Sequence, residues 1–274
     1  MCEQDLVSIG RMVRKWRERV DREDLPGFTV RYGRKSARGL TQDDVSRLIG
    51  FSARWYSNLE RGVPTPYSDA FLDSVSRVLA LSDEERLTLY TYTVQRQPLA
   101  GRKVDTSIID PALARFVHMQ PYPCYVSDQG WDIPIYNKAA AEQWRWMAQG
   151  VNVMLWALTH PEARLQLIDW EQAWACPMAA QLHLAMNKNP DNERLREVVD
   201  EVRKDPTARR IYDEGLRNIH PDGSRRRVYL PHHHDREFEV VFVALSPLRD
   251  PSYRLMAVVP ADECTDLDAL AQAA

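Results

Sequence analysis

The sequence lacks several features that mark specialised classes of protein. Its 274 residues include only four cysteines, at positions 2, 124, 176 and 264, and no two of them form a CxxC pair. This spacing argues against a zinc ribbon or a disulfide scaffold and suits a reducing compartment. No run of 18 apolar residues is present, and the first residues show no basic segment followed by an apolar core. We therefore expect neither a membrane span nor a secretory signal, and a cytoplasmic location without a membrane partner.

The common motifs of catalysis are missing as well. The chain contains no GxSxG, GxGxxG, Walker A or HExxH motif, and no cysteine has a histidine partner close in sequence. His232 and His234 could share one face of a strand and bind a metal, but a third ligand is not evident. An exposed polar turn is the simpler interpretation of these histidines. We expect no enzymatic activity, no metal and no required cofactor.

The composition is that of an ordinary folded protein. Hydrophobic residues make up 44% of the chain and charged residues 27%, which excludes global disorder. The charge is unevenly distributed, because residues 1–108 hold 18 Lys and Arg against 15 Asp and Glu, whereas the remainder holds 18 against 24. The first part can therefore approach a polyanion that the second part would repel.

The residue pattern changes near position 98 and indicates two domains. We predict an all-α domain over 1–97, a polar linker over 98–108, an α+β domain over 109–262 and a tail over 263–274. In the first domain the pattern indicates helices over 6–22, 68–80 and 82–95, and a basic loop over 23–39. In the second it indicates strands over 124–126, 133–136, 225–230, 238–245 and 253–259, and helices over 137–148, 162–187, 192–203 and 206–218. The expected fold class is α+β overall, with an antiparallel sheet in the second domain.

Residues 40–62 have the pattern of a helix-turn-helix. Thr41 and Asp44 predict a capping box at the start of the first helix. Gly50 can adopt the left-handed conformation that ends this helix, and Ser52 can cap a second one. Two short helices joined by about three residues around a glycine are typical of this motif.

A DNA-binding helix-turn-helix places the start of its second helix in the major groove. Arg54 there can bind the acceptor pair of guanine, and Asn58 can bind adenine. The candidate DNA-binding residues are Arg38, Gln42, Ser52, Ala53, Arg54, Trp55, Asn58 and Arg61. Two alternatives stay open: a helical bundle with a solvated charged face, and a helix-turn-helix that contacts a protein partner.

The sequence resembles a known family at these segments and beyond them. Gly39–Val45, Gly50–Ser52 and Trp55–Gly62 resemble the Cro/repressor-type (XRE) helix-turn-helix, and more narrowly that of the MmyB-like transcriptional regulators. In the second half the resemblance is carried by residues 121–126, Trp131, Tyr136, Asn137, Asn152–Trp156, Trp170 and 225–245.

The resemblance implies a DNA-binding domain followed by a PAS-like domain that binds a hydrophobic small molecule such as a fatty acid. It places base contacts on Ala53, Arg54 and Asn58, and phosphate contacts on Gln42, Ser52 and Arg61. The implied partners are double-stranded operator DNA, a small ligand and a second copy of the chain, since two half-sites multiply specificity.

Six of the eight tryptophans lie between residues 131 and 174, with methionines among them. Each single tryptophan is more simply interpreted as part of an aromatic core, and only the resemblance places an apolar cavity on an equal footing with a core for the cluster as a whole. The candidate ligand-binding residues are Trp131, Tyr136, Trp144, Met147, Met154, Trp156, Trp174, Met178 and Phe242. Arg145, Arg164 and His183 could bind a carboxylate headgroup, although a plain surface charge is the simpler interpretation of each of them.

These observations predict a ligand-responsive, DNA-binding transcriptional regulator. A helix-turn-helix protein that acts through protein contacts, and a PAS-like redox or cofactor sensor, stay open as alternatives.

Overall fold

The computed structural model describes residues 3–33, 39–98, 109–214 and 224–264. The chain divides into two compact units, the first formed by Met1–Ala100 with Leu230–Arg236 and the second by Gly101–Tyr229 with Glu237–Ala274. Residues 230–236 thus group with the first unit, whereas the sequence places them in the second domain. The domain boundaries drawn from the sequence stay a prediction.

The first unit contains six described α-helices. They are α1 (Glu3–Arg19), α2 (Pro26–Tyr32), α3 (Gln42–Ile49), α4 (Ala53–Glu60), α5 (Asp69–Val78) and α6 (Asp83–Val94). The helices expected from residues 6–22, 68–80 and 82–95 are confirmed within a few residues at their ends. Ile9, Val13 and Trp16 recur on the buried side of α1 and pack into one core with α3 to α6.

Helix α2 corrects the prediction of a basic loop over 23–39. Pro26 occupies the first helical position, where its missing N–H costs nothing, and Phe28 is fully buried in the core. Burial of this aromatic ring outweighs the loop-like composition around it. Residues 34–38, the most basic part of the predicted loop, lie outside the described residues.

The second unit combines helices with one sheet. Its described helices are α7 (Pro111–Met119), α8 (Lys138–Gln143), α9 (Val153–Thr159), α10 (Pro161–Gln166), α11 (Cys176–Lys188), α12 (Glu193–Lys204) and α13 (Pro206–Asp213). Its strands are β1 (Cys124–Ser127), β2 (Ile135–Tyr136), β3 (Arg225–Val228), β4 (Phe238–Leu245) and β5 (Arg254–Pro260). The sheet order is β2-β1-β5-β4-β3, and every neighbouring pair is antiparallel. The predicted α+β class and the predicted strands are confirmed.

Two helices of the second unit were not expected. Helix α7 begins at Pro111 after Asp110, whose carboxylate accepts a hydrogen bond from the Ala112 N–H at 2.8 Å. Helix α9 begins after Asn152, whose side chain accepts from the Met154 and Leu155 N–H groups. Both helices begin at ordinary N-cap residues. These residues favour a helix start in the sequence, but the apolar runs after them are too short to show a clear helical period.

The predicted helix over 162–187 is wrong as a single element. The chain leaves helical geometry after α10, where the Ile168 N–H donates to the Arg227 carbonyl at 3.2 Å and Leu167 bridges to Val228. Asp169 then takes a left-handed φ of 55°, and a π-helical turn (Trp170–Ala175) leads into α11. Pairing with β3 therefore overrides the local helical pattern.

The sheet has two differently covered faces, because side chains alternate along each strand. Cys124, Val126 and Leu255 lie on the face that packs against α7, together with Val117. Tyr125, Ser127, Arg254 and Met256 alternate with these residues and therefore lie on the opposite face. We call this opposite face the inner face, since the cavity described below lies against it.

Candidate functional site

The turn between α3 and α4 is built by the residues that predicted it. Thr41 and Asp44 form a reciprocal capping box at the start of α3. Gly50 ends that helix with a left-handed φ of 73°, which glycine adopts without steric cost. The Ser52 side chain then accepts a hydrogen bond from the Trp55 N–H and begins α4. The predicted helix-turn-helix is therefore confirmed in its local geometry.

A buried ion pair fixes α4 against α1. The Glu60 carboxylate is fully buried and accepts from Arg17 Nη2 at 3.1 Å and from Gln42 Nε2 at 2.7 Å. Burial opposes ionisation of Glu60, but the hydrogen bonds from Arg17 and Gln42 outweigh it and hold the pKa of this carboxyl below its usual range. This network sets the orientation of α4 relative to its neighbouring helices.

Aromatic packing holds the start of α4 in place. The Trp55 ring lies 5.8 Å from the Tyr67 ring and 5.9 Å from the Phe71 ring, measured between centroids. Tyr67 and Phe71 are buried, whereas 37% of Trp55 is exposed. Trp55 therefore anchors the helix with one side of its indole and leaves the other side accessible.

The structure places most of the predicted DNA-binding residues on or beside α4, in exposed or half-buried positions. Ser52, Ala53, Arg54, Trp55 and Arg61 are exposed, and Gln42 and Asn58 are half-buried. Arg38 lies outside the described residues. Arg54 has no hydrogen-bond or ion-pair partner within the described chain, so its guanidinium is available to a ligand.

Two of the predicted DNA-binding residues form side-chain hydrogen bonds within the protein. The Asn58 carbonyl oxygen accepts a hydrogen bond from Arg61 Nη2. The Gln42 amide donates to Glu60, as described above. The Asn58 oxygen is therefore shared with Arg61 in this conformation, whereas Gln42 is fixed at the start of α3.

The second unit contains a cavity of about 110 Å³ between the inner face of the sheet and the surrounding helices. Eight of the nine predicted ligand-binding residues line it, namely Trp131, Trp144, Met147, Met154, Trp156, Trp174, Met178 and Phe242. Their role in binding stays a prediction, but the structure brings them together around one space. Methionine and tryptophan walls give an apolar surface that can adapt its shape.

Tyr136 is not part of this cavity. It lies on β2, which has only two residues and forms the outer edge of the sheet beyond β1. Its side chain is half-buried and lines a separate surface cavity with Ala114 and His118 of α7. The structure therefore removes Tyr136 from the set of cavity residues.

Several polar residues of the cavity were missed in the sequence. Tyr125, Ser127, Gln181, Arg226 and Arg254 all line it. Four of the five lie on strands at inward positions, so the alternation of each strand would have identified them once the covered face was known. No Asp or Glu is among the described residues that line this cavity.

Burial changes the acid–base properties of two cavity residues. It raises the pKa of Tyr125 to about 12, so this phenol is neutral at physiological pH. It also lowers the pKa of Arg226 from its ordinary value; the Tyr125 phenol acts in the opposite direction, and no Asp or Glu is among the described residues that line the cavity. The Arg226 guanidinium instead lies 4.9 Å from the Trp174 ring and 5.5 Å from the Phe242 ring.

Two tryptophans that line the cavity have unsatisfied indole groups. Trp146 and Trp156 stack with centroids 4.6 Å apart, and both side chains are at least nine-tenths buried. Neither indole N–H has a hydrogen-bond acceptor among the described residues. Buried indole groups usually find a partner, so these two donors could serve a ligand that carries acceptor atoms.

The other sequence candidates for a carboxylate site lie elsewhere. Arg164 pairs with Asp205 at 2.8 Å, and His183 Nε2 lies 2.6 Å from the Tyr212 carbonyl oxygen. Neither residue lines the cavity, nor does Arg145. In the described part of the chain, no group of three His, Cys, Asp or Glu side chains is placed to hold a metal ion. None of the described helices is long and apolar enough to cross a membrane.

Comparison with known families agrees with both units. Residues 8–89 match the model of a helix-turn-helix domain, which defines the class of domain that the first unit forms. Residues 109–273 match the model of the MmyB-like transcription regulator ligand binding domain. The chain belongs to the MmyB-like transcription regulators. No curated protein matches it.

Proposed function

We propose that this protein is a ligand-responsive transcription regulator that binds operator DNA through α3 and α4. The observation that carries the DNA-binding part is Arg54, which is exposed at the start of α4 and has no partner among the described residues. A guanidinium held at that position fits the O6 and N7 acceptors of guanine in the major groove. Family membership supports the same assignment.

The neighbouring residues take complementary roles in this proposal. Ala53 and Trp55 contact base edges beside Arg54, and Asn58 reads adenine after Arg61 releases it. Gln42, Ser52 and Arg61 contact phosphates and fix the register of α4, and Arg38 adds a further phosphate contact. The phosphate contacts strengthen binding to any DNA sequence, whereas the base contacts of Arg54 and Asn58 discriminate between sequences.

The second unit is proposed to bind an apolar small molecule, such as a fatty acid, in the tryptophan-lined cavity. The support is the eight predicted residues around one space and the family of the domain. A ligand that binds one conformational state of the regulator better than another shifts its affinity for DNA. We further propose that the protein acts in the cytoplasm as a homodimer and needs no cofactor.

The DNA-binding part is tested by selecting operator sequences from a random pool and measuring affinity for the selected DNA. We expect Arg54→Ala to weaken binding by about 1–3 kcal/mol and to relax preference at one G·C pair. The matched control is Arg96→Ala, since Arg96 is an exposed arginine of the same unit that pairs with Asp69 outside α3 and α4. Unchanged operator affinity and preference in Arg54→Ala would overturn the assignment of α4 as the reading helix.

The ligand-binding part needs a separate measurement. Native mass spectrometry of the purified full chain, followed by denaturing extraction, identifies any apolar compound that is retained. Operator affinity is then compared with and without that compound. Equal affinity at saturating ligand would contradict ligand-responsive regulation while leaving DNA binding intact.

A further inference from the structure

The connection between strands β3 and β4 belongs to a different unit from the strands themselves. Strand β3 ends at Val228 and β4 begins at Phe238, and both strands lie in the second unit. Residues 230–236, which we call the connecting segment, group instead with the helical first unit. Leu230 and Pro231 at its start are buried. The connecting segment is therefore part of the first unit, while both of its ends continue into the sheet.

A tight turn gives the connecting segment a fixed shape. The Leu230 carbonyl oxygen accepts hydrogen bonds from the His233 and His234 N–H groups, both at 3.0 Å. Pro231 follows Leu230 directly, and its ring restricts the backbone φ to about −65°. The turn therefore sets the direction of the Pro231 carbonyl group, so a displacement of the segment moves this group with it.

The Pro231 carbonyl oxygen caps the start of helix α2. This helix begins with Pro26, which has no N–H, and Leu25 before it supplies no side-chain cap. The Gly27 N–H is therefore the first donor of the helix that needs an acceptor, and it donates to the Pro231 carbonyl oxygen at 3.3 Å. Gly27 is buried, where an unpaired N–H would cost free energy. The connecting segment thus supplies a cap that the residues next to α2 do not.

A buried ion pair links the start of α2 to the start of α3. The Thr29 hydroxyl donates to the Arg22 carbonyl oxygen at 3.1 Å, and the Arg22 guanidinium lies 5.8 Å from the centre of the Phe28 ring. The same guanidinium pairs with Asp44, and both of these side chains are buried. Asp44 also completes the capping box of α3. A shift of α2 therefore reaches the residue that fixes where α3 begins.

The end of α2 contacts α3 as well. The centroids of the Phe28 and Tyr32 rings lie 4.7 Å apart, and the Arg47 guanidinium of α3 lies 5.1 Å from the centre of the Tyr32 ring. Helix α3 also carries Gln42, one of the proposed phosphate contacts. Movement of α2 therefore changes how α3 meets DNA in the proposed complex.

The strands on either side of the connecting segment form part of the cavity wall. Arg226 of β3 and Phe242 of β4 both line the tryptophan-lined cavity. Val228 pairs with Phe238, so the two strands stay paired up to the last residue of β3. The cavity has a volume of about 110 Å³, and an apolar cavity of about 150 Å³ holds one benzene molecule. A larger ligand must displace the walls, and a displacement of β3 and β4 moves both ends of the connecting segment.

We propose that the connecting segment transmits ligand binding in the cavity to the helix-turn-helix through the Pro231 cap on α2. A ligand that displaces β3 and β4 withdraws the Pro231 carbonyl oxygen from the Gly27 N–H, and the released α2 shifts α3. The capped and released forms of α2 are the two states whose populations the ligand changes. This inference rests on the proposed function and adds the route by which the second unit controls DNA affinity.

The cap is tested by hydrogen–deuterium exchange of the full chain. In one variant, residues 231–236 are replaced by the same number of alternating glycines and serines, which removes the turn but keeps the length of the connection. We expect the amides at the start of α2 to exchange at least about tenfold faster than in the wild type, because the Gly27 N–H loses its acceptor. Wild-type exchange in α5 and α6 shows that the unit stays folded. Unchanged exchange at the start of α2 would overturn the cap.

The matched control replaces residues 246–251 in the same way. These residues lie between β4 and β5, two strands of the same sheet, and belong to the second unit. The exchange of α2 should stay at its wild-type rate in this variant. Equally accelerated exchange of α2 would attribute the effect to a general loosening of the protein and would overturn the cap.

A second variant keeps the cap and interrupts the transmission. Three glycines are inserted between Tyr229 and Leu230, and three more between Arg236 and Glu237. Residues 230–236 are then unchanged, but they are no longer tied tightly to β3 and β4. Without a ligand, the exchange of α2 and the operator affinity of this variant should equal those of the wild type.

Operator affinity is then measured with and without saturating decanoate, a fatty acid that serves as the probe. We expect decanoate to change the wild-type affinity at least about fivefold and to leave that of the insertion variant unchanged, although tryptophan fluorescence shows that both bind it. Three glycines inserted between Arg249 and Asp250 control for the insertion, and this variant should respond like the wild type.

The two ways of failing are distinguishable. A wild-type response in the insertion variant would overturn the connecting segment as the route and leave the proposed function intact. A wild type that binds decanoate without any change in operator affinity would contradict ligand-responsive regulation itself, and the route with it.

Discussion

Glu60 shows at the residue scale how one buried charge fixes the candidate DNA-reading helix. Its carboxylate is fully buried, and the side chain of Arg17 is only 12% exposed. A buried pair of this kind adds little net stability compared with apolar residues, but the loss of one partner leaves an uncompensated charge. The ion pair therefore acts mainly by specifying how α1 and α4 fit together.

We predict that Arg17→Met destabilises the protein by about 3–5 kcal/mol at pH 7. In the wild type the pKa of Glu60 lies below its ordinary value of 4.5, so the stabilisation is complete above that pH and is lost as the pH falls through the lower value. In the variant, Glu60 is still buried but lacks its Arg17 partner, so its ionised form destabilises the fold. Protonation of Glu60 at lower pH removes this destabilisation. Urea unfolding at several pH values should therefore show a difference that shrinks from pH 7 towards pH 4.

Arg14→Met is the matched control for this prediction. Arg14 lies 3.7 Å from Glu60, but 57% of its side chain is exposed. Exposed ion pairs contribute at most about 1 kcal/mol, so this variant should stay close to the wild type. A pH-independent difference between Arg17→Met and the wild type would show that lost packing, not the charge of Glu60, is responsible.

The cysteines allow a test of the redox-sensor alternative. Burial raises the pKa of the Cys124 thiol to about 11, so on the order of one molecule in a thousand carries the reactive thiolate at pH 8. Cys264 is exposed. We predict that iodoacetamide at pH 8 labels Cys264 at least about tenfold faster than Cys124, as measured by peptide mapping.

Labelling in 6 M urea serves as the reference in which both thiols are accessible. If Cys124 reacts in the native protein as fast as Cys264, its thiol is not protected, and a redox role for it would regain support.

The cavity residues illustrate how far single residues could be predicted. Eight residues that line the cavity were predicted from the sequence, because aromatic and sulfur side chains cluster there. They are four tryptophans, three methionines and one phenylalanine. Arg226 and Arg254 were missed, because only the sheet order decides which side of a strand faces the cavity. Tyr136 lies outside the cavity for a related reason, since nothing local reveals that β2 is a two-residue edge strand.

At the scale of secondary-structure elements, the helix-turn-helix was predictable because its signals are local. Each of these signals caps or ends a helix within four residues of its own position; the residues are Thr41, Asp44, Gly50 and Ser52. The break after α10 was not predictable, since it depends on a hydrogen bond between Ile168 and Arg227, which are far apart in sequence. Long-range pairing decides such positions, and propensity does not.

The crossing of α1 over α4 provides a prediction at this scale. A Cβ atom at Gly10 would lie 2.4 Å from the Glu60 carbonyl oxygen, which belongs to the backbone and cannot rotate away. We therefore expect Gly10→Ala to force α1 away from α4 and to destabilise the protein by about 1–3 kcal/mol. Thermal unfolding followed by circular dichroism gives the change, and operator affinity should fall with it because α4 loses its support.

Gly33→Ala separates this clash from the general effect of adding a methyl group. Gly33 has a φ of +78°, but no atom lies within 4 Å of a Cβ built there. Its ψ of 161° lies outside the left-handed helical region, so its substitution should cost about 1–3 kcal/mol through backbone strain alone and leave operator affinity unchanged. A Gly10→Ala protein as stable as the wild type would contradict the tight approach of α1 to α4.

At the scale of the whole molecule, the two proposed functions belong to two separate units. The first unit has an exposed Arg54 without a partner among the described residues, and the second encloses a tryptophan-lined cavity without an Asp or Glu among its described lining residues. Thermodynamic linkage requires that a ligand which weakens DNA binding is itself bound more weakly by the DNA complex, by the same factor. Measuring both affinities on the full chain therefore gives an internal check on regulation that needs no knowledge of the target genes.

The proposed dimer follows from how little DNA one reading helix can cover. In the proposed complex a single α4 presents Arg54 and Asn58 to a few base pairs, and specificity grows when a second copy reads another half-site one helical turn away. We predict that light scattering of the operator-bound protein shows two chains of 31.7 kDa per DNA. Adding about five base pairs between the half-sites should abolish tight binding, and adding about ten should restore much of it, because only the longer insertion returns both half-sites to the same face of the duplex. Equally tight binding of one chain to a single half-site would contradict the dimer and would require another source of specificity, such as the shape of the DNA.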